Sequence, residues 1–580
     1  MLMSRVPQRT ALNLTAAVIT CAVAAATATL SVFSLHAALV PLIAVVGLAV
    51  LALDQRAPAL FLACLGLLLV GYAFAGRGFA YLGVAPVYLS EIVLFLSALV
   101  LLIKLGELRL SPLHLLLLLF MAWGLVRTVP YLQRDGLNAL RDAVLWFYAL
   151  FAIAVSFVVR RHHLELVSGW FARIAPLFVL WVPVLVILYE GFHEYLPLAP
   201  GSKDATIPYF NPGDIAVHLA GAAAFMLVGL QSHHRKFSLP QVSLLGFVWL
   251  VGFAMCSAMS RGAFLAGFVA LAGAFLIRPS RLWLPFVSLA VSGLLLLAII
   301  NPTFEVEERQ RNVSVGQLLR NASSIVTDSN DGALEPTRRW RIAWWEKIVD
   351  YTVTGPYFWT GKGFGVNLAD SDGFQVFSDH SLRSPHNTHL TILARMGVPG
   401  FVMWVALNVI FAAGLWQARK QARATGDGFR SAFIAWLLLY WFAMSVNGAF
   451  SLYLEAPQQG IWYWTVFGLG LAVMRDTMSR EVPVLGGTPQ RSSGPFRRQR
   501  LVPAQGYALS SPAQAVRRPA AIAVTQTETS NTASNKRRRP ATSETAPGAA
   551  APQKPKPNLP RPARTPGRRS SRRSKRPKRR

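Results

Sequence analysis

Three stretches of the chain put residues capable of chemistry inside or against apolar sequence. In "SAMSRGAFLAGF", Ser260 and Arg261 interrupt a long apolar run. An arginine at membrane depth costs on the order of 2.5–3.5 kcal/mol unless it is paired or near the interface. Arg261 therefore reads either as a snorkelling residue at a helix start or as an anion-binding group facing a cavity. In "TRRWRIAWWEKIVDYTVTGPYFWTGKGFG", residues 337–365, Arg338, Arg339 and Arg341 sit among tryptophans. They form either a solvated basic face or a place where planar guanidinium forks meet the paired oxygens of a phosphate or diphosphate.

The third stretch, "SPHNTHLTILARMGVPGF", residues 384–401, sets His386, Asn387, His389 and Arg395 at the start of a long apolar run. A helix starting near Pro385 puts His386 and His389 on one face. They could cap and orient that helix. With Asp379 and His380 they could hold a metal, although the spacing matches no dedicated pattern. The remaining reading is proton transfer, because an imidazole with an ordinary pKa near 6.5 can take a proton from a hydroxyl nucleophile.

The glycines invite a nucleotide-loop reading that fails. Five residues separate Gly355 from Gly361 where four are required, and Gly363 stands where Ser or Thr must follow Lys362. The segment predicts a turn with close backbone approach instead.

Positioning these residues falls to a chain that is 53% hydrophobic and 14% charged, with 16 tryptophans and a mean hydropathy of +0.41. That composition excludes a soluble globular domain. With roughly 20 apolar residues needed per crossing, spans are expected at 11–33, 37–53, 57–76, 84–104, 112–126, 143–159, 168–189, 212–230, 240–257, 262–278 and 282–300. Three more are expected at 396–416, 430–448 and 459–475. The fold class is an all-α polytopic membrane protein with about 12–14 transmembrane helices, one large periplasmic loop region and a disordered C-terminal tail. The first run is read as a span rather than a cleaved signal, since it is long and followed at once by another. Cys21, Cys64 and Cys256 lie in apolar stretches and make neither a disulfide framework nor a metal signature. No internal repeat is visible.

Basic loops set the orientation. "LDQR", Lys104 to Arg109, "RRHH", "SHHRK", "RPSR" and "ARKQAR" alternate with loops poorer in net positive charge, which puts the N-terminus and the tail inside. The expected domains are a transmembrane bundle (1–300), an outer loop carrying the motifs (301–395), further helices (396–475) and a basic tail (481–580). Residues 301–390 carry nine Lys/Arg against eleven Asp/Glu, whereas 481–580 carry 23 against three. The formal net charge of +30 therefore resides mostly in the tail. Rich in Pro, Ala, Ser and Thr, the tail cannot offset its ordering entropy by burial and is expected to be disordered. Contact with anionic lipids of the inner leaflet, at roughly 1 kcal/mol per basic residue, is the first reading of it. A solvated tail comes second and a nucleic-acid contact last.

"SRGAFLAGF", "WRIAWWEKIVD" with "GKGFG", and "HNTHLTILARMGVPGF", in this order and all placed outside, resemble the O-antigen ligase and polymerase superfamily of bacterial membrane glycosyltransferases. The resemblance covers roughly 60–475 and is strongest from 250 to 405. It implies transfer of a glycan from an undecaprenyl-diphosphate carrier on the periplasmic face of the bacterial inner membrane, without metal, nucleotide or other cofactor. The family's span arginine falls on Arg261, its loop arginine on Arg341 (preferred to Arg338 because the family-like run is "RIAWW") and its histidine on His386. Asn387 would orient the imidazole, and Arg395 and Arg338 would help hold the diphosphate. A ligase with the lipid A core as acceptor is the first expectation and a polymerase of lipid-linked repeat units the second. A lipid-linked oligosaccharide transporter and a scaffold acting through its basic tail are the readings from other classes.

Overall fold

The computed structural model describes residues 56–84, 87–202, 205–279 and 335–478, with two isolated positions and two short strands between 280 and 334. The expected spans 11–33, 37–53 and 282–300, and the tail 481–580, lie outside the described residues. The chain divides into Met1–Gln490, which holds every described residue, and Arg491–Arg580.

The protein is an all-α polytopic membrane protein. Helices of ten or more described residues are α1 (Ala57–Ala75), α2 (Leu89–Ile103), α3 (Pro112–Asp135), α4 (Leu137–Phe147), α5 (Ala149–Val158), α6 (Arg161–Phe192) and α7 (Pro212–Leu227). They continue with α8 (Leu239–Met259), α9 (Arg261–Ile277), α10 (Glu335–Val349), α11 (Thr388–Ala424), α12 (Gly428–Gly448) and α13 (Pro457–Met478). Among the described residues, seven segments are long and apolar enough to cross a bilayer: α1, α3, α4 with α5, α6 through Tyr195, α8, α11 and α12. The helices α2, α7 and α9 are apolar but shorter. Among the described residues, strands are limited to the antiparallel pairs Gly83–Val84 with Val87–Tyr88 and Phe304–Val306 with Arg311–Val313.

Local signals set the helix ends. Ser260 closes α8 through its backbone N–H to Cys256 and caps α9 by accepting from the Ala263 N–H at 3.3 Å, the ordinary N-cap role of a serine. One polar residue thus turns two apolar helices back on each other. Helix α9 packs between α7, α8 and α12. Helix α11 is kinked at Gly397, which has φ +69°, with Pro399 following, where a proline cannot continue the hydrogen-bond ladder.

The segment that carries α10 has its own small core. Trp344 and Ile348 of α10 bury against Leu368, Ala369, Leu382, Leu393 and Ala394. Trp344 stacks on Phe374 with centroids 5.4 Å apart and donates its indole N–H to the buried Asp372 at 2.7 Å. Lys362 pairs with the same carboxylate. Helix α10 is therefore fixed by both apolar contact and a satisfied buried charge.

Candidate active site

Arg261 is the first residue of α9, so its cation stands at the positive end of a helix and is part-exposed. That arrangement disfavours another cation and favours an anion. Its neighbour Gly262 could carry no side chain without loss. An added Cβ would lie 3.0 Å from Asn447 Oδ1 and 3.0 Å from Phe450 Cβ.

Arg341, part-buried on α10, donates from Nη1 to the Phe450 carbonyl at 3.4 Å. The Phe450 residue that packs on the head of α9 therefore also holds the head of Arg341. One turn on, and on the same face, Trp345 donates its indole N–H to the Pro385 carbonyl at 3.0 Å. This brings the arginine helix against the turn that carries His386. Arg338 is part-buried one turn before Arg341, and Arg339 is exposed.

The histidines do not form the predicted pair. Helix α11 begins at Thr388, and Asn387 is its cap, accepting from the N–H groups of His389 at 3.0 Å and Leu390 at 3.2 Å. Asn387 Oδ1 is thereby committed to the helix end, in place of the expected orienting bond to an imidazole. His386 precedes the cap with φ +53°, a region few non-glycine residues adopt, although His is among the more tolerant. Such strain persists where the surroundings impose it. His389 lies one turn inside and is spent on structure: its Nε2 faces the Ser445 carbonyl at 3.1 Å, and its Nδ1 accepts from the Trp404 indole at 3.0 Å. His380 turns to Asp370 at 2.8 Å.

Burial, and second the positive charge of Arg341, pull the His386 pKa down to about 4. At neutral pH the ring is uncharged and can accept a proton.

The loop after α12, Ala449 to Ala456, gathers these parts. Phe450 meets Gly262 and Arg341. Ser451 offers its carbonyl to Thr388 Oγ1 at 3.1 Å, and the Leu454 N–H returns to that hydroxyl at 3.4 Å. Glu455 follows, its carboxyl pushed up by burial and opposed by the attraction of Arg395. Sequence reasoning passed over this segment. Its one signal is "EAPQQG", polar residues at the foot of an apolar helix.

Residues 246–405 match the family model described as O-Antigen ligase. That segment is similar to the O-antigen ligase family, within a chain that is an all-α polytopic membrane protein. No curated protein matches it.

The matched ligase segment contains Arg261, Arg341 and His386, yet it draws on residues beyond it. Phe450 lies after its end and Asp142 before its start. Asp142, on α4, pairs with Arg383 at 2.9 Å and Arg395 at 3.1 Å and accepts from the Gly365 N–H at 3.0 Å. Arg395 is 0% exposed and also donates to the carbonyls of Gly363 and Val366. The expectation that Arg395 holds a diphosphate is corrected here: enclosed by protein, it clamps the glycine loop.

That loop is the predicted close approach. Gly361 (φ +58°) has backbone that no L side chain readily adopts, and a Cβ would fall 2.5 Å from the Arg395 carbonyl carbon. In the ligase segment the loop docks on the α11 kink, with the Lys362 N–H to the Ala394 carbonyl at 2.7 Å and the Val398 N–H to the Phe358 carbonyl at 2.8 Å.

Proposed function

We propose that the protein transfers a glycan from an undecaprenyl-diphosphate carrier to an acceptor hydroxyl on the periplasmic face of the bacterial inner membrane, as a ligase acting on the lipid A core. The observation that carries this reading is the apposition of Arg341 and His386, with Arg341 held to the residue that packs on the head of the Arg261 helix.

In the proposed step the acceptor oxygen forms a bond to the anomeric carbon as the bond from that carbon to the phosphate oxygen breaks. His386 takes the hydroxyl proton. The electron pair leaves with the diphosphate, whose growing charge Arg261 and Arg341 stabilise. A single displacement inverts the anomeric centre, and the charges required come from side chains without a metal. The donor also prepares the base. A bound diphosphate offsets the Arg341 charge that depresses His386, so the imidazole becomes more basic when there is a glycan to transfer. Arg338, one turn away on α10, is the auxiliary phosphate contact.

The experiment is complementation of a deletion strain by wild type and His386→Ala, with surface and carrier-linked glycan read on one gel. The ligase reading expects wild type to restore the surface product and the variant to leave full-length glycan on its carrier. Loss of polymerised glycan in the deletion strain would instead identify a repeat-unit polymerase. Equal restoration by both proteins would remove His386 from the chemistry.

A further inference from the structure

A second polar region lies at the far end of the same helices. Helix α9 starts at Arg261 beside Phe450 and ends at Ile277. Its 17 residues, at about 1.5 Å each, span roughly 25 Å. Helix α11 runs in the same sense from Thr388 to Ala424, and α12 returns from Gly428 to Asn447. Between these far ends is a cavity of about 610 Å³ whose lining includes Gly229, His233, Arg278, Arg419, Arg423 and Phe429. The lining draws on residues of the basic stretches "SHHRK" and "ARKQAR", on Arg278 at the start of "RPSR", and on the turn that follows Ala424.

Among the described residues the lining carries three guanidinium groups and no carboxylate. Arg419 is 6% exposed. Its Nη2 donates to the Ile277 carbonyl at 3.3 Å, while its buried Nε has no hydrogen-bond partner among the described residues. A guanidinium that has lost its water and keeps a donor unused is costly unless an acceptor arrives. Arg423 is exposed one turn further along. Trp416, 41% exposed, lies against the Arg419 head at 5.4 Å, and Leu276 stands 79% exposed at the end of α9. Concentrated positive charge inside, with exposed apolar side chains on the helices that carry Arg419 and Ile277, matches a molecule that is anionic at one end and apolar at the other.

We propose that this cavity holds the headgroup of an anionic phospholipid from the leaflet on the basic-loop side, its phosphodiester bound by Arg419, Arg423 and Arg278 and its acyl chains lying along Trp416 and Leu276. Basic pockets between membrane helices suit such headgroups. The site is remote from the glycan chemistry and does not depend on it.

The test uses full-length protein in nanodiscs of zwitterionic phospholipid containing a small fraction of spin-labelled phosphatidylglycerol. The wild-type protein should immobilise the anionic label in preference to a zwitterionic one. Arg423→Gln should weaken that association about fivefold, and Arg419→Gln with Arg423→Gln about 25-fold. The basic tail is common to all variants, so its own attraction for lipid cancels. Arg423 is exposed, so its single variant keeps the proposal testable if loss of buried Arg419 harms folding. Unchanged immobilisation in Arg423→Gln, or equal immobilisation of both labels by the wild type, overturns the proposal. Displacement of the lipid label by millimolar inorganic phosphate would also overturn it and identify a site for a soluble anion.

Discussion

The segment from Ser384 to Arg395 has two ends that treat polar residues in opposite ways. At its start His386 is part-buried, strained in backbone and kept neutral beside Arg341. At its end Arg395 is closed off from solvent and paired with Asp142 on another helix. The first arrangement keeps an uncharged base within the field of a cation, which on the proposed reading serves an arriving diphosphate and hydroxyl. The second spends its Nη1 on the carbonyls of Gly363 and Val366 and on Asp142, which ties the glycine loop to the bundle, and it is closed to solvent. Residue type does not separate the two; the nature of the partner does. Replacements at the first end should therefore remove activity from a folded protein, and replacements at the second should remove the folded protein.

The largest effect is expected from Asp142→Ala. It leaves two buried guanidinium groups without their carboxylate and should cost about 3–5 kcal/mol or more, read as loss of folded protein in the membrane fraction. His386→Ala should lower transfer about 10²–10⁴-fold while thermal unfolding stays close to wild type. If it unfolds the protein instead, the contrast between the two ends fails. Arg341→Gln should cost about 10²–10³-fold in transfer and carry a second signature in its pH profile. In the wild type His386 keeps its proton-accepting form down to a pKa of about 4. The acid limb of kcat/KM should therefore lie near 4, with activity falling only as pH drops through that value. Removing the Arg341 charge raises the His386 pKa, so the limb should move to higher pH in Arg341→Gln. An unmoved limb would separate the two residues. The smallest effect is expected from Asn387→Ala, which removes a helix cap worth about 1 kcal/mol and should lower the melting temperature with a modest change in transfer.

The helical framework was legible in the sequence because it rests on local quantities. Each expected span between residues 57 and 278 or between 396 and 475 falls on a helix, since burying a run of apolar residues is a sum over neighbours in the chain. The break at Ser260 and the failure of the nucleotide-loop reading were legible for the same reason, as both follow from residue types at fixed short spacing. The histidine pair was misread by one local detail. A cap at Asn387 starts the helix at Thr388, three residues later than a start at Pro385, and it leaves His386 outside.

The sequence by itself determined an apolar helical bundle, the three polar motif-bearing segments and the basic loops, because hydropathy, capping and charge are properties of short stretches. Only the tertiary structure decided that His389 serves Trp404 and Ser445 while His386 lies within the field of Arg341, that Asp142 is the counter-ion of Arg383 and Arg395, that Phe450 joins Arg341 to the head of α9, and that Arg278, Arg419 and Arg423 line one cavity. Each of these depends on groups far apart in the chain. The free energy of a polar side chain in a bundle is set by whichever charge or carbonyl packing brings within a few ångströms, and spacing along the sequence does not encode that distance.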